Sequence, residues 1–148
     1  MALNEGILLD THAVVWLQEG TLSARADGWE RIQQAANNGL WFVCSFALQE
    51  MAHAVTRNRL SLDPDSLSWF RRAVAFPGPK LLELTPEIAA TTIELPSTFQ
   101  GDPGDRIIAA TAIVHRLTVC THDDLLLKFG RRGLFPVIKV NKRNHHAG

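Results

Sequence analysis

The sequence has few of the features that mark several large classes of protein. Its cysteines, Cys44 and Cys120, are too few and too far apart for a disulfide framework or a thiolate zinc site. We expect both to be buried, reduced thiols, because a free cysteine packs as a small hydrophobic side chain. No apolar run approaches the roughly 20 residues of a membrane span, and the first residues lack the basic region of a secretory signal. These absences predict a cytoplasmic protein without a membrane partner.

The sequence also lacks a net charge. It carries 15 basic and 15 acidic side chains, so its formal net charge is zero. No global field can hold a polyanion, and any contact with a nucleic acid must therefore be local. Three local basic clusters suit such a contact, although clusters of this kind are more often solvated faces. They are Arg57 with Arg59, Arg71 with Arg72, and Lys128 with Arg131 and Arg132.

What is present describes one globular unit. The chain has 148 residues, of which 46% are hydrophobic and 20% charged, which is typical of a domain with its own core. No internal repeat or low-complexity segment divides it. We expect a single domain over residues 1–140 and a polar, flexible tail over residues 141–148.

Short apolar runs alternate with helical patterns along the chain. The strand candidates are residues 7–9, 40–44, 81–84, 118–120 and 137–140. Because a parallel pair of strands needs a crossover, and the crossover is usually a helix, this alternation predicts a parallel sheet. The expected fold is therefore α/β, with a central, mostly parallel sheet of four to five strands and helices on both faces.

Several residues are typical of helix starts. We expect Ser23, Ser45 and Thr85 to be N-caps and Pro64 to open a helix that extends to about residue 75. In the helix over residues 103–115, we expect Asp102 to be the N-cap and Pro103 to occupy the first helical position.

Four acids recur at the ends of these elements or inside apolar patterns. Asp10 follows the first strand and Asp123 follows the strand near residues 118–120, whereas Glu50 and Asp105 lie in helices. Sites in open α/β sheets form beyond the carboxyl ends of the strands, so we expect these distant acids to converge. For Asp105, ordinary helix-start chemistry is an equal explanation from the local sequence alone.

Acids gathered without cationic partners repel one another and take up protons unless a cation neutralises them. A hard divalent ion with oxygen ligands does this, and magnesium commonly bridges carboxylates to phosphate. The chemistry that follows is hydrolysis of a phosphodiester. No serine nucleophile elbow, glycine-rich phosphate loop or paired-cysteine metal site competes with this interpretation.

Four segments in this sequence resemble the motifs of the PIN domain family, of the VapC toxin type. They are residues 8–17 with Asp10, residues 45–52 with Glu50, residues 102–112 with Asp105 and residues 117–124 with Asp123. Each motif alone is weak, but four in the family's order are specific. The resemblance implies a PIN-like three-layer sandwich and a ribonuclease that depends on Mg²⁺, with Mn²⁺ as the alternative. It also implies the toxin half of a toxin–antitoxin pair, with a cognate antitoxin protein as partner, and a homodimer.

The resemblance also assigns residues. Asp10, Glu50, Asp105 and Asp123 are the expected catalytic acids, and Asp10, Asp105 and Asp123 are the first choices as metal ligands. Glu50 is a further ligand candidate or orients the attacking water. The alternative is an exposed helix acid, which is disfavoured because Ala47 and Ala54 flank Glu50 on its own helix face. Asp102 is either a ligand or a helix cap. The family often has phenylalanine after the proline of this motif, whereas this sequence has Gly104.

Three neighbours of these acids have supporting roles in this interpretation. Thr11 and Thr121 would hold a carboxylate or a metal-bound water through their hydroxyls, although plain strand-end positions explain them equally well. Arg106 would contact substrate phosphate or form a structural salt bridge.

Two other functions remain as alternatives. A catalytically inactive PIN-fold module would bind RNA or protein without turnover, but none of the motif acids is missing. A phosphoacceptor receiver or an aspartyl phosphatase would need a second acid near Asp10, and His12 stands there instead.

Overall fold

Residues 5–144, the part of the chain that the computed structural model describes, contain six strands and seven helices, which alternate except where α4 follows α3 and α6 follows α5. The strands are β1 (Ile7–Leu9), β2 (Leu22–Ala24), β3 (Trp41–Cys44), β4 (Lys80–Leu82), β5 (Thr118–Thr121) and β6 (Val137–Lys142). The helices are α1 (Thr11–Glu19), α2 (Ala26–Asn37), α3 (Phe46–Thr56), α4 (Ser66–Ala73), α5 (Pro86–Glu94), α6 (Pro103–His115) and α7 (Asp124–Arg131). Over the same residues, no helix combines the length and the apolar character needed to cross a bilayer.

The strands form one sheet in the order β2-β6-β5-β1-β3-β4. Every neighbouring pair is parallel except β2 and β6, which are antiparallel. The expected α/β class with a mostly parallel sheet is therefore confirmed, whereas the expected number of four to five strands is wrong, because the described residues contain six.

The missed strand is β2, where the sequence was expected to start a helix at Ser23. Instead Ser23 pairs with Asn141 of β6, and α2 begins three residues later, after Arg25, which makes no side-chain capping bond. A strand of three residues has too little periodicity to identify, and its partner lies at the other end of the chain.

The same pairing corrects the expected tail. Asn141 and Lys142 belong to β6, so the folded unit does not end at residue 140. The side chain of Arg143 extends the contact by donating to the Gly20 carbonyl over 2.7 Å. Residues 145–148, the rest of the expected tail, lie outside the described residues.

Two other helix starts differ from expectation. Ser45 is already in a helical conformation and makes no side-chain capping bond; its amide is held by the Leu82 carbonyl of the neighbouring strand. Helix α4 is capped by Asp65, which accepts a hydrogen bond from the Ser68 amide at 2.9 Å, and Pro64 lies outside it. The helix ends at Ala73, before residue 75. Thr85 and Asp102 cap α5 and α6 as expected.

Each face of the sheet is covered by helices. Side chains alternate along a strand, so Ile7 and Leu9 of β1 join one hydrophobic cluster and Leu8 joins another. The first cluster packs the sheet against α1 to α4, and the second packs it against α6 and α7. Both cysteines are buried and free, as predicted. The result is a three-layer sandwich.

Strand β1 lies in the middle of the sheet, between β3 and β5. After β1 the chain first forms β2 at the edge beside β6, then β3 and β4 on one side of β1, and finally β5 and β6 on the other. A crevice forms where the direction of winding changes, beyond the carboxyl ends of the strands. The residues after β1 and β5 are therefore brought together at this edge.

Candidate active site

One cleft of about 690 Å³ lies at this edge of the sheet. It contains all five carboxylates that the sequence singles out, which come from four separate parts of the chain: Asp10, Glu50, Asp102, Asp105 and Asp123. The described residues therefore bring the expected acids to one place.

Asp10 lies at the floor of the cleft and is 5% exposed. It caps α1, because its Oδ1 accepts a hydrogen bond from the Ala13 amide at 2.9 Å. Its Oδ2 accepts a hydrogen bond from the Thr121 hydroxyl at 2.5 Å. Burial raises the pKa of Asp10, while these two hydrogen bonds oppose the rise. The carboxyl is thus held in place from both sides.

Thr121 connects Asp10 to Asp123. Its hydroxyl oxygen accepts a hydrogen bond from the Asp123 amide at 3.0 Å while donating to Asp10. Asp123 in turn caps α7 by accepting from the Leu126 amide at 2.9 Å. The end of β5 is therefore fixed to the end of β1 through one hydroxyl group.

Asp102 and Asp105 lie at the start of α6. Asp102 caps the helix by accepting from the Asp105 amide at 2.9 Å. The carboxyl of Asp105 is half-buried, and a backbone hydrogen bond from Asp102 favours its charged form. Burial, followed by the charges of Asp123 and Asp102, raises the pKa of Asp105 to about 7. A cation in the cleft would therefore stabilise the charged form of Asp105.

Glu50 reaches the cleft from α3. Its Oε1 accepts a hydrogen bond from the Thr11 hydroxyl at 2.7 Å. Burial raises the pKa of Glu50, and the charges of Asp102 and Asp10 add to the rise. The carboxyl group lies against Gly104, where a Cβ atom would be 2.7 Å from Glu50 Cδ and 2.9 Å from Oε1. Glycine therefore leaves the space that Glu50 occupies.

Arg106 does not take part in the cleft. Its guanidinium donates to the carbonyls of Phe99 at 3.0 Å and Thr92 at 2.5 Å, which joins α6 to the C-terminal end of α5. It forms no salt bridge with any residue of the described range 5–144. The expected salt bridge is therefore wrong, because the side chain holds backbone carbonyls instead. The expected contact with substrate phosphate stays a prediction that these hydrogen bonds do not favour.

Three basic side chains also line the cleft: His12, His53 and Arg59. The ring of His12 stacks on Trp16 with centroids 5.9 Å apart. His53 was not identified from the sequence, although it follows Glu50 by three residues and so shares its helix face. In the described part of the chain, Arg59 is the one lysine or arginine that lines the cleft.

The donor set fits a hard divalent cation. Five carboxylates face one permanently charged cation, and the raised pKa values of three acids record their burial and mutual repulsion. Within residues 5–144, no group of three or more acids, histidines or cysteines already has the arrangement of a metal site. This is compatible with Mg²⁺, which is usually bound by few protein ligands and keeps water molecules in its other coordination positions.

The comparisons with known proteins agree with this geometry. The model of the PIN domain family matches residues 7–131. Ribonuclease VapC22 of Mycobacterium tuberculosis is 32% identical over 117 residues, which cover 79% of this chain and 86% of that protein.

Three solved structures have a similar fold. VapBC2 from Rickettsia felis, bound to a DNA fragment from its promoter, has a TM-score of 0.66 at 16% identity and covers 91% of this chain and 98% of its own. FitAB bound to the IR36 DNA fragment has a TM-score of 0.57 at 20% identity, and the match covers 95% of this chain and 99% of the FitAB chain. A toxin–antitoxin complex from Klebsiella pneumoniae has a TM-score of 0.51 at 21% identity, and the match covers 80% of this chain and 87% of the chain in that complex. At these identities the likeness concerns the fold alone.

Proposed function

The chain belongs to the PIN domain family, and on that premise we propose that it is a VapC-type endoribonuclease that depends on a divalent metal ion. The observation that carries the proposal is the presence of Asp10, Asp105 and Asp123 in one cleft with Glu50. The relationship to a ribonuclease over most of both chains supports the substrate class.

Asp10, Asp105 and Asp123 would hold Mg²⁺, or Mn²⁺ in its place, and Asp102 would remain a helix cap that adds negative charge. When bound, the ion supplies charge neutralisation at the phosphate and a lowered pKa for an attacking water. In the proposed hydrolysis, water attacks the phosphorus of an RNA phosphodiester, the P–O bond to one ribose oxygen breaks, and that oxygen takes a proton from solvent and leaves as a hydroxyl. Glu50 would take the proton of that water, because its carboxyl is held at the cleft by the hydrogen bond from Thr11.

The threonines act on the acids and not on the substrate. Thr121 fixes the orientation of Asp10 and the position of Asp123, and Thr11 fixes Glu50. Arg106 has no part in the proposed reaction.

We also propose a biological setting. The protein would be the toxin of a type II toxin–antitoxin pair, acting on RNA in the cytoplasm as a homodimer and neutralised by a cognate antitoxin protein. Support comes from its relationship to VapC22 and from the fold that it shares with the VapBC2 and FitAB complexes.

The proposal is tested with the variant Asp10→Asn. Asparagine is as good an N-cap as aspartate, so the Ala13 hydrogen bond and the fold are expected to remain. RNA cleavage in Mg²⁺ or Mn²⁺ should fall to background, while circular dichroism and the melting temperature show a folded protein. The matched control is Asp124→Asn, because Asp124 is an exposed neighbour of Asp123 that does not line the cleft.

Two results would reject the proposal. Asp10→Asn that cleaves RNA at the wild-type rate would show that the cleft acids are not the catalytic groups. Wild-type protein that binds RNA but never cleaves it, with either metal, would favour the alternative of an inactive binding module.

A further inference from the structure

A second depression of about 720 Å³ lies next to the acidic cleft. It is formed by the end of α3, the start of α4 and the segment between them. Its lining residues are Val55, Asn58, Arg59, Leu60, Ser61, Leu62, Asp65 and Ser66. Arg59 and Leu60 also line the acidic cleft, so the two spaces meet at these residues.

Arg59 is available for an external ligand. Its backbone amide donates to the Ala54 carbonyl at 2.9 Å, which fixes the residue after the last turn of α3. Its guanidinium makes no hydrogen bond or ion pair with any residue between 5 and 144. Arg72 and Arg106, by contrast, donate to backbone carbonyls. Arg59 therefore presents an unused bidentate donor at the border of the two spaces.

The charge of the cleft makes a cation at this border necessary for a polyanionic substrate. Five carboxylates line the cleft, and with a divalent ion bound their summed charge remains negative. A phosphate next to the reacting one would be repelled unless a cation lay within reach. Among the described residues that line the cleft, Arg59 is the one lysine or arginine.

The depression beyond Arg59 suits a nucleotide. Val55, Leu60 and Leu62 give it an apolar lining, and Asn58, Ser61 and Ser66 give it groups that can pair with the edge of a base. The acid in its lining, Asp65, is engaged by its own helix, since both of its oxygens accept hydrogen bonds from Ser68. A volume of this size is in the range of small-ligand pockets.

From this continuity we infer that single-stranded RNA passes from the acidic cleft into the depression, with a backbone phosphate on Arg59 and the adjoining nucleotide beyond it. The inference rests on the proposed function for its choice of RNA. Single-stranded RNA follows because a base must be turned out of its stack to enter such a space.

The test is binding of a labelled single-stranded RNA in EDTA, so that no cleavage occurs, over a series of salt concentrations. Arg59→Ala should lower the slope of log K against log salt by about 0.7, and the affinity at 0.1 M salt about fivefold, as expected for one lost phosphate contact. Arg59→Lys should retain most of the slope. The matched control is Arg57→Ala, because Arg57 is exposed in the same turn but lines neither space.

A second variant tests the depression itself. Ser61→Trp would fill it and should weaken RNA binding with Arg59 still present. Equal slopes for Arg59→Ala and Arg57→Ala, or unchanged binding by Ser61→Trp, would overturn the inference. Because no step requires cleavage, binding that depends on Arg59 in a protein that never cuts RNA would reject the proposed function alone. Cleavage with equal slopes would reject this inference alone.

Discussion

Replacement of Gly104 by alanine should displace the Glu50 carboxyl group without removing it. The variant therefore tests whether catalysis requires this carboxyl group in its observed position. An ideal Cβ at this residue lies 2.7 Å from Glu50 Cδ and 2.9 Å from Oε1, closer than side-chain atoms approach in real structures. The helix backbone cannot yield easily, because Gly104 is buried at the start of α6. The Glu50 side chain must therefore swing away from Thr11.

The size of the effect follows from these contacts. Overpacking costs about 1–3 kcal/mol, and the gain of replacing glycine in a helix offsets roughly 0.5–1 kcal/mol of it. The net loss in the free energy of unfolding should be about 0–2.5 kcal/mol, and nearer the lower end because the group that must move is the end of a flexible side chain. A displacement of about 1 Å at a catalytic group can lower turnover about 100-fold.

The assays are urea denaturation and the rate of RNA cleavage at saturating substrate. The double variant Gly104→Ala with Glu50→Asp should regain part of the lost stability and activity, because aspartate is one methylene shorter. Gly28→Ala is the control, since its Cβ would meet Ile138 Cγ2 at 2.8 Å, far from the acids, and should affect stability alone. Full activity in Gly104→Ala, with the contact between Thr11 and Glu50 intact in its crystal structure, would refute the reasoning.

Two further predictions concern the apo protein and are measured by urea denaturation in EDTA. The pKa of Asp105 is raised from 3.8 to about 7. Between these pH values the folded protein therefore binds more protons than the unfolded chain, so its free energy of unfolding should fall as the pH rises. At pH 8, Asp105→Asn should be more stable than wild type by about 1–2 kcal/mol, a figure reduced for the partial exposure of the group. Near pH 4 the two proteins should be equally stable, and a less stable variant at pH 8 would contradict the prediction. Thr121→Val should cost about 1–3 kcal/mol, because Asp10 loses a donor and the Asp123 amide loses an acceptor. Thr118→Val, a buried threonine of the same strand outside the cleft, is its control, and equal losses would show that the Thr121 link has no special role.

The parts of the site that are local in sequence could be predicted, and those that depend on distant contacts could not. Asp10 directly follows β1 and Asp123 lies two residues after the end of β5, so a pattern of a few residues places them at one edge of a parallel sheet. Asp102 could be recognised as a cap for the same reason. The strand at Ser23 needed its partner at Asn141, which no local pattern contains.

The direction in which a side chain points could not be predicted from the sequence either. Arg106 adjoins Asp105 in the sequence, but successive residues on a helix point about 100° apart, and its guanidinium reaches Thr92 and Phe99 instead. The closeness of Gly104 and Glu50 depends on how α3 and α6 pack. The motif alone shows only that Gly104 replaces the phenylalanine frequent in the family, and it does not show that the glycine leaves space for a carboxylate.

The central claim is that distant acids meet in one cleft and share a divalent cation. Crystals soaked in Mn²⁺ test it most directly, through the anomalous scattering of the ion. The account predicts a peak in the cleft in contact with Asp10, Asp105 and Asp123, which Asp10→Asn weakens or removes. A cleft without a peak at Mn²⁺ concentrations that support cleavage, or an ion bound elsewhere on the protein, would contradict it.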